Sequence, residues 1–234
     1  MTSYKIFAET APGQTRIGFF DAAGLVQHVW LCRDDQPDLI GSVHRARIEQ
    51  LFANQNRAQG RLADGTAISI RLPKNHRSAV AVGAVAVVTI TAAPRHGKAW
   101  QGVLDARLVT ATLVVLPGQS TVTISCRCDD AAAMCELAAA LRVPEGFGVI
   151  VRRQAKAIDR AQLQASLDEL VTDWQAMYAR CDPAMTGMLY SGGNLRQRAY
   201  RFVPNASYHS CTIGDAHSDA IEAALLAAMR PEVG

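Results

Sequence analysis

Apolar and polar positions alternate along three runs at the start of the chain, Tyr4 to Glu9, Thr15 to Asp21 and Gly24 to Leu31, interrupted by Pro12-Gly13 and Ala23-Gly24. A period of two broken by Gly and Pro is the pattern of strands joined by tight turns, so an antiparallel meander is expected here. The polar run Arg33-Asp34-Asp35-Gln36-Pro37-Asp38 ends it and marks a boundary.

From Gly41 to about Leu108 short β-runs follow one another: Ser42 to Phe52, Arg57 to Leu62, Ala67 to Leu72, Ala84 to Thr91 and Ala99 to Leu108. Short strands spaced by Gly and Pro turns suit a small β-barrel of the oligonucleotide-binding type. Leu108 to Leu116 reads as a further strand, stopped by Pro117-Gly118. Asp129 and Asp130 are placed to cap a helix reaching Leu141, with Met134, Leu137, Ala138 and Leu141 on one face. After a strand at Phe147 to Arg152 comes the clearest helix, Asp159 to Tyr178, where Leu163, Leu167, Leu170, Val171, Trp174 and Tyr178 recur at helical spacing. Such a stripe is packing surface. The tail reads as a strand at Met185 to Tyr190, a helix at Asn194 to Phe202, a strand at Tyr208 to Ile213 and a helix from Ser218 to Met229. This β-α-β-α segment needs a sheet to join, and the opening meander supplies one if the middle of the chain is an insertion in a discontinuous domain.

Composition adds little to this picture. With 49% apolar and 19% charged residues the chain has material for an ordinary core and is not of the disordered class. The longest apolar run, Ala79 to Ala93, is too short to span a bilayer, and the N-terminus has no apolar block of a secretory signal. A cytoplasmic protein with no membrane contact is expected. Cys32, Cys126, Cys128, Cys135, Cys181 and Cys211 are too sparse for a disulfide framework, so free thiols are expected. The Cys126, Cys128, Cys135 group contains no CxxC pair and lacks an obvious fourth metal ligand.

Charge changes the picture more. Between Gly41 and Trp100, Arg45, Arg47, Arg57, Arg61, Arg71, Lys74, Arg77, Arg95 and Lys98 face only Glu49 and Asp64. The segment therefore holds a surplus of seven positive charges in a chain whose net charge is +3, and the remainder is acidic. Basic charge concentrated on the barrel segment is a footprint for phosphate.

Two motifs carry a family resemblance. The run Leu113-Val114-Val115-Leu116-Pro117-Gly118-Gln119-Ser120-Thr121-Val122-Thr123-Ile124-Ser125-Cys126-Arg127 resembles the RNase E/G family's strand ending in Pro-Gly and leading to Ser-x-Arg. Val143-Pro144-Glu145-Gly146-Phe147-Gly148-Val149-Ile150-Val151-Arg152-Arg153 is similar to its Pro-Glu-Gly-x-Gly-hydrophobic-Ile-Val-Arg-Thr stretch. Order and spacing agree, and Gly41 to Ile48 resembles the start of that family's inserted S1 barrel. The resemblance implies a mixed α/β fold: a discontinuous RNase H-like domain (1–38 and 182–234), a degenerate S1-like barrel of the OB type (39–108), and a 5′-sensor-like α+β region (109–181).

The same resemblance implies a site. Arg152 matches the arginine that grips a 5′-terminal monophosphate in family members, Arg153 replaces the neighbouring Thr, Val114 matches a pocket-lining residue, Thr110 stands where a small Gly is frequent, and Arg127 matches the Ser-x-Arg arginine. A guanidinium offers a planar fork suited to phosphate oxygens, while a second one adds charge without the compact hydroxyl geometry. In the barrel, Ala58-Gln59-Gly60-Arg61 replaces the family's Ala-Phe-Val-Asp, whose aromatic stacks on RNA. Contact with the RNA backbone is thus expected from charge, through Arg45, Arg47, Arg61 and Lys98, and should be salt-sensitive and sequence-tolerant.

The family's Mg²⁺-holding aspartates and its zinc-binding cysteine motif lie in a later region. The chain ends at Gly234 before either would appear, and Asp215 and Asp219 match neither. No cofactor or metal, and no catalytic residue, is therefore expected. The leading expectation is a non-catalytic protein that binds RNA, single-stranded by preference, with a protein partner or a homo-oligomer left open. Two alternatives stand beside it. The first is an endoribonuclease acting through an unrecognised site or a separate catalytic partner; the second is a protein-interaction scaffold.

Overall fold

The computed structural model describes residues 4–36, 38–73, 80–94, 97–126, 130–182, 185–203 and 206–229. It is a mixed α/β fold with four α-helices among these residues. The chain divides into two compact units, Met1–Asp38 with Gly193–Gly234, and Leu39–Gly192.

In the first unit, β1 (Lys5–Ala11), β2 (Gln14–Phe20) and β3 (Val26–Arg33) form the anticipated meander, turning at Gly13 and Gly24, both at positive φ. A fourth strand, β14 (Ser207–Ser210), pairs parallel to β1, with Lys5 opposite Ser207 and Ala8 opposite Ser210, giving the order β14-β1-β2-β3. Alternation along β1 sends Ile6 and Ala8 to one face, where Leu195 and Ala199 of α3 (Leu195–Phe202) join Ile17 and Phe19 in the core. Asn194 starts this helix with a capping box to Gln197. The other face receives α4 (Ala216–Met229), whose fully buried Ile221 lies over Gly18. A Cβ on Gly18 would sit 2.6 Å from Ile221 Cγ1, so the absent side chain lets helix and sheet meet. On this face Glu9 is also buried and accepts a hydrogen bond from Ser218 Oγ at 3.0 Å.

The second unit holds a closed, OB-like barrel of five strands: β4 (Val43–Phe52), β5 (Arg57–Arg61), β6 (Ala67–Arg71), β7 (Val85–Ala92) and β8 (Trp100–Leu104). They run in the order β4-β5-β6-β8-β7, β6 and β8 are parallel, and β7 returns to β4 to close the ring. Ala46, Ile48, Ala58, Ile68, Ile70, Val88, Ile90 and Leu104 fill the interior. Closure leaves these strands paired on both sides, which removes the open edges that invite aggregation.

Beyond the barrel, β9 (Leu108–Val109), β10 (Leu113–Pro117), β11 (Val122–Ile124) and β12 (Phe147–Val151) make a second sheet in the order β11-β12-β10-β9. Helices α1 (Ala131–Ala139) and α2 (Arg160–Tyr178) cover one face. Leu113, Val115, Val149 and Val151 meet Met134, Ala138, Leu163, Leu167, Leu170, Val171 and Trp174 there. Asp130 caps α1, and Asp159 starts α2 with a capping box to Gln162. Strand β13 (Gly187–Tyr190) pairs with β4, and two residues past its end Gly192 lies against the backbone of Gly41, where a Cβ would be 2.7 Å from the Gly41 carbonyl carbon.

Several boundaries differ from the sequence expectation. The run from Ala99 through Leu116 is not two long strands: Asp105 adopts φ 79°, and Thr110 to Leu113 forms a tight turn, so β8, β9 and β10 are separate. The stripe of α2 stops at Trp174; Tyr178 is exposed and stacks on the Trp174 ring at 5.2 Å between centroids. The last strand ends at Ser210, because Thr212 to Asp215 turns to start α4.

Candidate nucleic-acid interface

The face of the second sheet opposite the helices is covered less completely. Register places Val109, Val114, Ile150 and Thr123 in one row across it; Val109 and Thr123 are exposed, Val114 and Ile150 half-buried. Arg152 follows on the same side of β12. Its backbone N–H donates to the Thr112 carbonyl at 2.8 Å, so the chain is still extended there, and the 3₁₀ turn Arg153–Ala157 begins immediately after.

The guanidinium of Arg152 is half-buried, and its Nη1 donates to the carbonyl of Thr110. Thr110 is itself buried. Its Oγ1 accepts from the backbone N–H of Leu113 at 3.0 Å and is 3.3 Å from that of Thr112, so the hydroxyl holds the turn and the carbonyl is left facing Arg152. Arg152 is thereby fixed at the side of a cavity of about 370 Å³, lined by Ala111, Ser125, Arg152, Arg153 and Gln154. Arg153 is exposed at its rim. The lining contains two arginines and no carboxylate, and Ser125 and Gln154 add neutral hydrogen-bonding groups. Such a lining offers guanidinium, amide and hydroxyl donors of the kind that can hydrogen-bond an anion.

The structure brings Arg152, Arg153 and Thr110 together, with Thr110 acting through its carbonyl. Val114 lies one row away on the same face, and Arg127 falls outside the described residues, two positions beyond Ser125. Ala111 and Gln154 were not singled out by sequence. Neither carries a distinctive pattern, and only the turn at Thr110 and the 3₁₀ turn after Arg152 place them together.

The four basic residues expected on the barrel divide into two kinds. Arg47, Arg61 and Lys98 are exposed; Arg47 Nη1 donates to the Gly83 carbonyl at 3.0 Å, and Lys98 lies on the loop between β7 and β8. Arg61 grips Glu49 with two hydrogen bonds of 2.7 and 3.1 Å, so part of its charge is already answered. Arg45 is buried, donating to the Asp182 carbonyl and, at 3.3 Å, lying against the Tyr178 hydroxyl, with its guanidinium 5.5 Å from the centre of the Tyr178 ring. It joins β4 to the end of α2 and is not presented to solvent. Lys74, Arg77 and Arg95 lie outside the described residues.

No group of three or more His, Cys, Asp or Glu side chains among the described residues is arranged to hold a metal ion. The Asp215 carboxylate accepts from the backbone N–H groups of Thr212 and Ser218 at 2.9 and 3.3 Å, which holds its pKa below the ordinary value. The described cysteines are free thiols. No helix among the described residues is long and apolar enough to cross a membrane.

An OB-like barrel beside a sheet whose outer face carries a cavity lined by two arginines and no carboxylate is a combination suited to polyanionic ligands. Residues 108–233, more than half of the chain, match the Ribonuclease E/G family, and the chain belongs to that family. Membership gives it an RNA-related function. The matched span begins at β9, so the barrel lies outside it. No curated protein matches the chain.

Proposed function

We propose that this protein binds RNA without cutting it, and that the cavity at Arg152 receives the phosphate of an RNA 5′ end. The observation that carries this reading is the fixed guanidinium: Thr110 holds Arg152 at a cavity whose other donors are Arg153, Ser125 and Gln154. An arginine positioned before its ligand arrives loses little conformational freedom on binding.

In this reading the region 109–181 is the 5′-sensor-like part, and 39–108 is a degenerate S1 barrel contributing backbone contacts through Arg47, Arg61 and Lys98. The segments 1–38 and 182–234 form an RNase H-like domain. The sheet order β14-β1-β2-β3, with a parallel fourth strand set between two helices in sequence, supports that last assignment. The protein acts in the cytoplasm on single-stranded RNA.

The test compares short RNAs that differ only in a 5′-monophosphate or a 5′-hydroxyl. The monophosphate is expected to bind more tightly, by a margin that shrinks as salt rises. Equal affinity for the two ends removes the end-recognition reading. Metal-dependent cleavage abolished by a point substitution removes the non-catalytic one.

A further inference from the structure

The sheet that carries Arg152 ends in a short strand whose outer edge is free. In the order β11-β12-β10-β9, β11 pairs with β12 alone, and no other strand among the described residues lies along its far side. Two backbone bonds show which way its peptide groups point. The Thr121 carbonyl accepts from the Val149 N–H at 2.8 Å, and the Ser125 N–H donates to the Val151 carbonyl at 2.8 Å, so the odd-numbered residues serve β12. In a parallel ladder the residues between them turn their N–H and C=O groups the other way. Val122 and Ile124 therefore each hold out a donor and an acceptor, about 6.6 Å apart along the strand.

A groove lies beside this edge. In register, Val122 is opposite Val149 and Ile124 opposite Val151, both of which are buried on the helix side of the sheet. Ile124 packs partly against that core, while Val122 is 42% exposed. Helix α1 presents Cys135, Ala138 and Ala139, which share one helical face at i, i+3 and i+4, to a cavity of about 490 Å³ that β11 also lines. Leu141 and Phe147 add apolar surface. Glu145 is the single charged residue of the lining; it is exposed and makes no ion pair among the described residues.

These three features together specify an occupant. A free edge of alternating N–H and C=O groups is matched by another main chain, which adds as a strand while alternate side chains enter the groove beside it. The carboxylate favours a cationic side chain and repels phosphate. We propose that the groove between β11 and α1 binds an extended segment of a partner polypeptide. About three of its residues pair with β11, apolar side chains enter beside Ala138 and Ala139, and a lysine or arginine meets Glu145. The groove shares no residue with the cavity at Arg152, and the proposal stands whether or not that cavity takes RNA.

The experiment uses the full chain and random heptapeptides displayed on phage, selected on the immobilised protein. Recovered sequences are expected to alternate apolar residues and to carry Lys or Arg toward one end. The tightest is synthesised with a fluorescein label and its affinity measured by anisotropy. Val122→Pro removes an outward N–H and leaves the bonds to β12 in place, so it should weaken binding by about fivefold or more. Glu145→Gln should weaken it by up to about fivefold, and only for a peptide that keeps its basic residue. Amide hydrogen exchange should slow at Val122 and Ile124 when the peptide binds. A selection that returns no binder, peptides that bind wild type and Val122→Pro equally, or unaltered exchange at both amides overturns the proposal. Oligoribonucleotide binding that is lost through Val122→Pro assigns the groove to RNA and overturns it as well. Should Val122→Pro fail to fold, Ala139→Phe decides, because this exposed position lines the groove and a ring there fills it: undiminished peptide binding overturns the proposal.

Discussion

Burial ranks the two arginines of the cavity, and the ranking can be measured. Arg152 is half-buried and anchored to the Thr110 carbonyl; Arg153 is exposed at the rim. A charge-assisted hydrogen bond in a partly desolvated site contributes about 1.5–3 kcal/mol, whereas an exposed ion pair contributes about 0.2–1 kcal/mol. The quantity to follow is the ratio of dissociation constants for 5′-hydroxyl and 5′-monophosphate RNA, obtained by fluorescence anisotropy. Taking that ratio cancels contacts made by the rest of the strand. Arg152→Ala should lower it roughly 10- to 150-fold, and Arg153→Ala by no more than about fivefold. Arg152→Lys keeps the charge but loses the planar fork, and should fall between wild type and Arg152→Ala. Higher salt should erode the contribution of Arg153 before that of Arg152. If Arg152→Ala weakens both RNAs equally and leaves the ratio intact, the terminal phosphate does not sit in this cavity. If Arg153→Ala is the more damaging change, burial is the wrong guide to which donor matters.

Three further outcomes test the fold. Gly18→Ala places a methyl group within 2.6 Å of Ile221 Cγ1 and should destabilise the first unit by about 1–3 kcal/mol in urea denaturation; Ile221→Ala in the same chain should recover part of that loss, and two additive losses would refute the contact. Burial holds the His44 imidazole below its ordinary pKa of 6.5, against a smaller opposing effect of Asp64. The unfolded chain then takes up that proton first, so the barrel should keep this contribution above pH 6.5 and lose stability as pH falls from 6.5 toward the lower folded-state value. His44→Gln should flatten that part of a stability-against-pH profile, and an unchanged profile would place the acid sensitivity elsewhere. Burial also pushes the Cys32 and Cys211 thiols up, while Cys126 and Cys135 are exposed. Iodoacetamide at neutral pH should therefore modify Cys126 and Cys135 faster than Cys32 and Cys211 in the folded protein, as read by mass spectrometry, with the difference vanishing in denaturant.

Local signals made most elements legible. The meander could be read because Gly13 and Gly24 sit at turns that need positive φ, and α2 because its apolar stripe begins just after the cap at Asp159. The break at Asp105 was hidden, since a non-glycine residue at φ 79° leaves no mark in the alternation around it. The site shows the same division. Arg152 stood out by its motif, but the cavity depends on the Thr110 turn, which brings Ala111 toward Gln154 through contacts that no short pattern encodes. Arg45 shows the converse. It lies in the basic segment beside Arg47, and sequence gives both the same standing; its inward course is set by Tyr178 and Asp182, more than 130 residues away.

The close approach of Gly41 and Gly192 bears on the order in which the chain can fold. Strand β1 must find β14 across a separation of about two hundred residues, from Lys5 to Ser207. Closing a loop of that size before any other structure exists is slow, because the entropy is lost ahead of the contacts that compensate it. Once Leu39–Gly192 has folded and its ends lie together, the free chain between the pairing strands falls to about fifty residues. Two halvings of loop length are worth about 1.2 kcal/mol of closure entropy. Folding of Leu39–Gly192 thus shortens the loop that pairing of β1 with β14 has to close. A bulky residue at Gly192 should delay the arrival of β14, a kinetic defect that would appear in refolding traces before it appeared in any binding measurement.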